Sequence, residues 1–198
     1  MEGSHVQKIA RVLNVLVIAA LVCNIIILYL VPVAVVSLEL SEGSGLLEGV
    51  AAYLRDFLHP GQDDILTATA AASFLAWFWC WKSTRALVLT LFLLVAGVCT
   101  ALILWQGRRV LRTILRGAPF SAENAVSLRR AAVCSFVVSG AALARLVFSV
   151  WYFRSPQPLL SYNALFVPIF AMAGLLCLVM SALFRQAAEI KAENDLTI

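Results

Sequence analysis

No aspartate or glutamate lies inside any long apolar run of this chain, and histidine occurs only twice, at His5 and His59. The first absence removes the carboxylates that a proton relay or cation pathway through a membrane needs. The second leaves no nucleophile–base pair, and neither a phosphate-binding loop nor a metal-ligand spacing is present. The chain therefore reads as non-enzymatic, with no cofactor and no metal. Its five cysteines, Cys23, Cys80, Cys99, Cys134 and Cys177, are dispersed through apolar sequence without a CxxC pair. That excludes a zinc or redox motif and leaves small apolar packing residues. Charge is scarce as well, at 13% of residues, against about 25% in soluble chains.

Apolar sequence fills the space. Hydrophobic residues make up 62% of the chain and the mean hydropathy is +0.93. A length of 198 residues holds several spans of ~20 residues and little else. The expected fold is all-α: a polytopic membrane protein, a four-transmembrane-helix bundle forming a single membrane domain. The net charge of +4 reads as loop lysines and arginines near anionic lipid, not as a nucleic-acid footprint.

The first apolar run covers residues 12–36, 25 in all. A secretory signal has a core of only ~7–15 apolar residues, so this run is a retained span. Pro32 is expected near its far end. The loop 37–85 begins polar and acidic, and Leu46, Leu47, Val50, Ala51, Leu54, Phe57 and Leu58 recur in it at helical spacing. Residues 65–81 are apolar and carry Trp77, Phe78, Trp79 and Trp81. Length alone nearly lets this segment cross. Charge decides against it. With spans at about 12–36, 86–106, 131–153 and 163–184, ten basic residues fall on the inner side and four on the outer. A fifth span would export Arg108, Arg109, Arg112, Arg116, Arg129 and Arg130 in one short loop, against the positive-inside rule. Residues 65–81 are therefore expected as an interfacial or re-entrant helix, part of an outer cap. Both termini are then cytoplasmic.

The inner loop 107–130 carries the densest charge. Arg108, Arg112 and Arg116 recur at four-residue spacing beside Arg109, which predicts that the second span runs out of the membrane as an amphipathic helix. Gly117 and Pro119 stop it, and Ser121 caps the next helix. This arginine stripe either anchors the hairpin to anionic lipid or docks a cytoplasmic protein. The docking reading rests on Arg108, Arg109, Arg112, Arg116, Phe120 and Asn124, with Glu189, Glu193 and Asp195 of the tail 185–198 supplying negative charge. Arg145 is the ionisable residue deep within a span. It either snorkels or makes a structural contact, or it forms a ligand-binding site with Asn24 and Tyr29 of the first span.

The segment GAPFSAENAVSLRR and the tail FRQAAEIKAENDLTI together resemble a bacterial inner-membrane family catalogued as domain of unknown function 2975. The resemblance covers roughly residues 86–198. It implies four spans, no known enzymatic activity, and a frequent genomic neighbour: a small helix-turn-helix regulator. The leading expectation is thus a membrane protein that binds or regulates a cytoplasmic partner of that kind, without direct nucleic-acid contact. The alternatives are a small transporter or ligand-binding protein centred on Arg145, and a structural envelope or stress protein. A homo-oligomer is compatible with each.

Overall fold

A computed structural model describes residues 2–40, 74, 76–78, 81, 84–116 and 121–195. Among them lie four long helices: α1 (Glu2–Leu40), α2 (Thr84–Leu115), α3 (Ala122–Phe153) and α4 (Tyr162–Asp195), with a 3₁₀ turn at Gln157–Leu160 before α4. No strand occurs among the described residues. All four helices are long and apolar enough to cross a membrane. The all-α, four-span expectation holds. The expected amphipathic helix at 46–58 lies outside the described residues. Of the segment 65–81, Phe74 and residues 76–78 are helical and Trp81 sits in a turn.

The helices overrun the expected spans at several ends. α1 starts at Glu2 and continues to Leu40, because no glycine or proline intervenes between Pro32 and Gly43 to stop it. Pro32 is consequently inside the helix, where its ring removes one backbone hydrogen bond, and its side chain is fully buried. α2 runs past the apolar segment as the arginine spacing predicts. α4 persists to Asp195 on a tail rich in Ala, Glu and Lys, all good helix formers.

The chain forms two compact units, Ile26–Leu94 and a second made of Met1–Ile25 with Val95–Ile198. In the first, Val31 and Val35 of α1 bury against Ala86 of α2, with Val36, Leu89 and Leu93 around them. Phe74, Trp77, Phe78 and Trp81 line one groove of about 380 Å³. Their spacing of three, four and seven residues matches one helical face. Three of these four aromatics are more than 70% exposed, as suits side chains that meet lipid and headgroups.

In the second unit, α3 and α4 make an antiparallel hairpin. Its turn holds Arg154 at φ 47°, the only non-glycine residue in the left-handed region among those described. The buried face of α3 is mostly small: Ala125, Ser127, Ala131, Ala132, Ser135, Ser139 and Ala142, with Asn124 and Val138 the larger exceptions. Small residues let two helix backbones approach, the usual basis of association in lipid, where burial of apolar surface gives no drive. Ser139 Oγ donates to Val167 O at 2.8 Å and Ser181 Oγ donates to Ala125 O at 2.7 Å. The two bonds stand fourteen residues apart on each helix, about four turns or ~21 Å. That repeat is two heptads, the period of a left-handed pair. It sets Ala132 of α3 at the level of Gly174 of α4. Between α2 and α3, the thiols of Cys99 and Cys134 share a hydrogen bond, which fits the packing role expected of them.

Candidate functional site at the basic end of α2 and α3

The apolar run of α2 ends at Trp105, and Arg108, Arg109 and Arg112 follow on the same helix, with Arg116 in the turn just after it. Each residue adds ~1.5 Å along the axis. Arg108 and Arg109 thus lie about 4–6 Å beyond Trp105, Arg112 about 10 Å and Arg116 about 16 Å. A headgroup layer is only about 5–8 Å deep on each side of the hydrocarbon. Side chains on a helix lean toward its N-terminus, which in α2 is toward the membrane. With Trp105 at the edge of the hydrocarbon, Arg108, Arg109 and Arg112 would fall at the level of the headgroups and Arg116 beyond it.

Arg109, Arg112 and Arg116 are exposed, whereas Arg108 is half-buried. The Arg108 Nε is buried with no hydrogen-bond partner among the described residues. Trp105, Arg108, Arg109 and Arg112 line a cavity of about 260 Å³. A neighbouring groove of about 270 Å³ is lined by Arg109, Ala122, Glu123, Val126 and Arg130. Arg109 belongs to both, and its guanidinium lies 3.7 Å from the Glu123 carboxylate, both side chains being largely exposed. Exposed pairs of this kind contribute little to stability, so Glu123 offsets the positive charge of the ladder without locking it.

The start of α3 is tied both to its own cap and to α2. Ser121 has extended backbone and its hydroxyl accepts from the Asn124 N–H, the cap its sequence position predicts. Asn124 is fully buried, and its Oδ1 lies 2.8 Å from the Thr113 hydroxyl of α2. This overturns its expected place on a docking surface: a side chain with no accessible area offers nothing to a partner. Phe120 lies outside the described residues. Thr113 carried no motif and was missed. Its only signal was a hydroxyl one turn after Arg109, on an otherwise arginine-rich helix.

At the far end of α4, Arg185 Nε donates to Glu189 Oε1 at 2.9 Å, an exposed contact one turn apart on the same helix. Glu193 is exposed. Asp195 is the last residue of α4, and its side chain is outside the described set. Among the described residues no group of three or more His, Cys, Asp or Glu could hold a metal ion.

Arg145 meets α4. Its Nη1 lies 3.5 Å from Asn163 Oδ1, and its carbonyl accepts from Ser149 Oγ at 2.9 Å. Asn163 was not among the expected partners, although folding the sequence about Arg154 places 145 and 163 at the same level. Of the expected ones, Asn24 Oδ1 is buried without a hydrogen-bond partner and so accepts nothing from Arg145. Tyr29 belongs to the other compact unit and is exposed. Arg145 thus contacts Asn163 within the α3–α4 hairpin.

The family described as "Protein of unknown function (DUF2975)" matches residues 62–198. The match reaches further toward the N-terminus than the two motifs, taking in the aromatic segment before α2. No curated protein and no solved structure matches the chain.

Proposed function

The chain belongs to the DUF2975 family, and from that premise we propose that it is a non-enzymatic membrane protein whose basic end recruits a cytoplasmic partner. The observation that supports this reading is Arg116. It is exposed and stands about 16 Å past the last tryptophan of the span, too far out for lipid to be its main contact. Arg112 shares its helical face one turn nearer the membrane. A partner with an acidic surface fits that pair, and ten inner basic residues against four outer ones support a cytoplasmic placement of this end. The family resemblance suggests the class of partner, a small helix-turn-helix regulator. Such a protein would be held at the membrane by a face other than its DNA-binding one.

The test is co-purification of the neighbouring regulator with the full chain in nanodiscs, using wild type and an Arg112→Glu/Arg116→Glu variant. The regulator is expected with wild type and lost with the variant, since reversing two charges at an electrostatic contact turns attraction into repulsion. Recovery of no regulator with either form would sink the proposal.

A further inference from the structure

The cavity at the root of the arginine ladder differs in kind from the exposed face beyond it. We propose that Trp105, Arg108, Arg109 and Arg112 form a binding site for one phosphate group, that of an anionic phospholipid headgroup. This goes beyond the partner reading and does not depend on it.

Three observations converge. The cavity, about 260 Å³, has room for a headgroup phosphate with its glycerol. Three arginines line it, and arginine is the residue whose planar donor fork matches phosphate oxygens. The buried Arg108 Nε has no partner among the described residues. An unpaired buried donor on a charged group is costly, and an anionic oxygen in the cavity supplies what the protein does not.

Depth separates a lipid from a soluble anion. The cavity starts at Trp105, the last residue of the apolar run, with a ring that is 55% exposed. Tryptophan at this level sets its apolar ring against acyl chain and glycerol and its N–H against headgroup. Arg108 and Arg109 follow within ~6 Å, the level of the phosphates. A free inorganic phosphate would have no use for the tryptophan wall. The site also explains why Arg108 and Arg116, two turns apart on one face, differ in burial. Trp105 and Arg108 serve the lipid, Arg116 serves the aqueous face, and Arg109 and Arg112 border both.

Native mass spectrometry of the full chain tests this. The protein is released from nanodiscs holding phosphatidylglycerol and phosphatidylcholine in equal amounts, and retained lipid is counted. Wild type is expected to keep one phosphatidylglycerol in preference to phosphatidylcholine. Arg108→Gln and Trp105→Leu should each weaken retention about tenfold, while Arg116→Gln leaves it unchanged. Arg108→Lys, which keeps the charge but not the fork, controls for folding and should fall between. Equal retention of both lipids by wild type, or unchanged retention in folded Arg108→Gln, would overturn the proposal. A separate arm adds inorganic phosphate to lipid-free protein. Saturable binding of phosphate alongside non-selective lipid retention would assign the cavity to a soluble anion and overturn the lipid assignment. Because Arg112 borders both sites, Arg116→Glu alone tests the partner while Arg108→Gln and Trp105→Leu test the lipid, so either proposal can fail without the other.

Discussion

Thr113 of α2 and Asn124 of α3 meet across the loop that joins their helices, with 2.8 Å between Thr113 Oγ1 and Asn124 Oδ1. The threonine hydroxyl also lies 2.7 Å from Val110 O, so its one proton is shared between two acceptors. Asn124 is fully buried, and its backbone is held by the Ser121 cap. The arginine ladder thus rises from a helix tied to its neighbour by this hydrogen bond.

Thr113→Val keeps the shape and removes the hydroxyl. It leaves a buried amide short of a donor, which costs about 1–3 kcal/mol. Thermal unfolding in detergent should show a clear drop in Tm. Thr113→Val/Asn124→Leu should lose less than the two single changes together, because removing both partners spares the desolvation of either one. Strictly additive losses would show that the two residues do not act as a unit.

The seam between α3 and α4 invites a second measurement. Ser139→Ala and Ser181→Ala each remove one interhelical bond, at a cost of about 0.6 kcal/mol apiece by the usual scale in membranes. The sites are ~21 Å apart, and separated sites add. The double variant should therefore lose about 1.2 kcal/mol while the hairpin keeps its register. A loss several times larger would mean that the two serines set the register together.

The spans were legible because each is a run of about 20 apolar residues, the one feature a bilayer demands outright. The Ser121 cap and the exit of α2 were legible because both rest on local rules of spacing and stop signals. The end of α1 was not. Pro32 looked like a terminus, yet a proline inside a membrane helix is tolerated when neighbours satisfy the freed backbone group. The α3–α4 register escaped notice because its carriers, Ala125, Ala132, Ser139, Val167, Gly174 and Ser181, differ little in hydropathy from the lipid-facing residues between them. Asn124 was misplaced for another reason. A polar residue in a basic loop looks exposed until Thr113, eleven positions earlier, closes over it.

Gly174 gives a prediction whose sign depends on one neighbour. A Cβ there would stand 3.1 Å from two ring atoms of Phe136, tighter than ordinary contact. Phe136 is 37% exposed, so its ring has room to swing aside. Alanine also favours the helix over glycine by about 1 kcal/mol. Gly174→Ala should accordingly shift the Tm little, whereas Gly174→Leu should drive the helices apart and lower it strongly. If Gly174→Ala alone collapses the hairpin, the ring is held and Phe136→Leu should rescue it.

Arg145 and Asn163 allow the hairpin contact to be strengthened deliberately. At 3.5 Å the bond is long for N–H···O geometry, and its acceptor is neutral. Asn163→Asp places a carboxylate at the same point, and charge-assisted bonds are about twice as strong as neutral ones. Asn163 is also in the first turn of α4, where a negative charge gains about 0.3–1 kcal/mol from the helix dipole whatever Arg145 does. A double-mutant cycle separates the two effects. Asn163→Asp should raise the Tm in the wild-type background and raise it less in Arg145→Leu. Equal gains in both would mean that the dipole alone acts and that Arg145 directs its charge elsewhere.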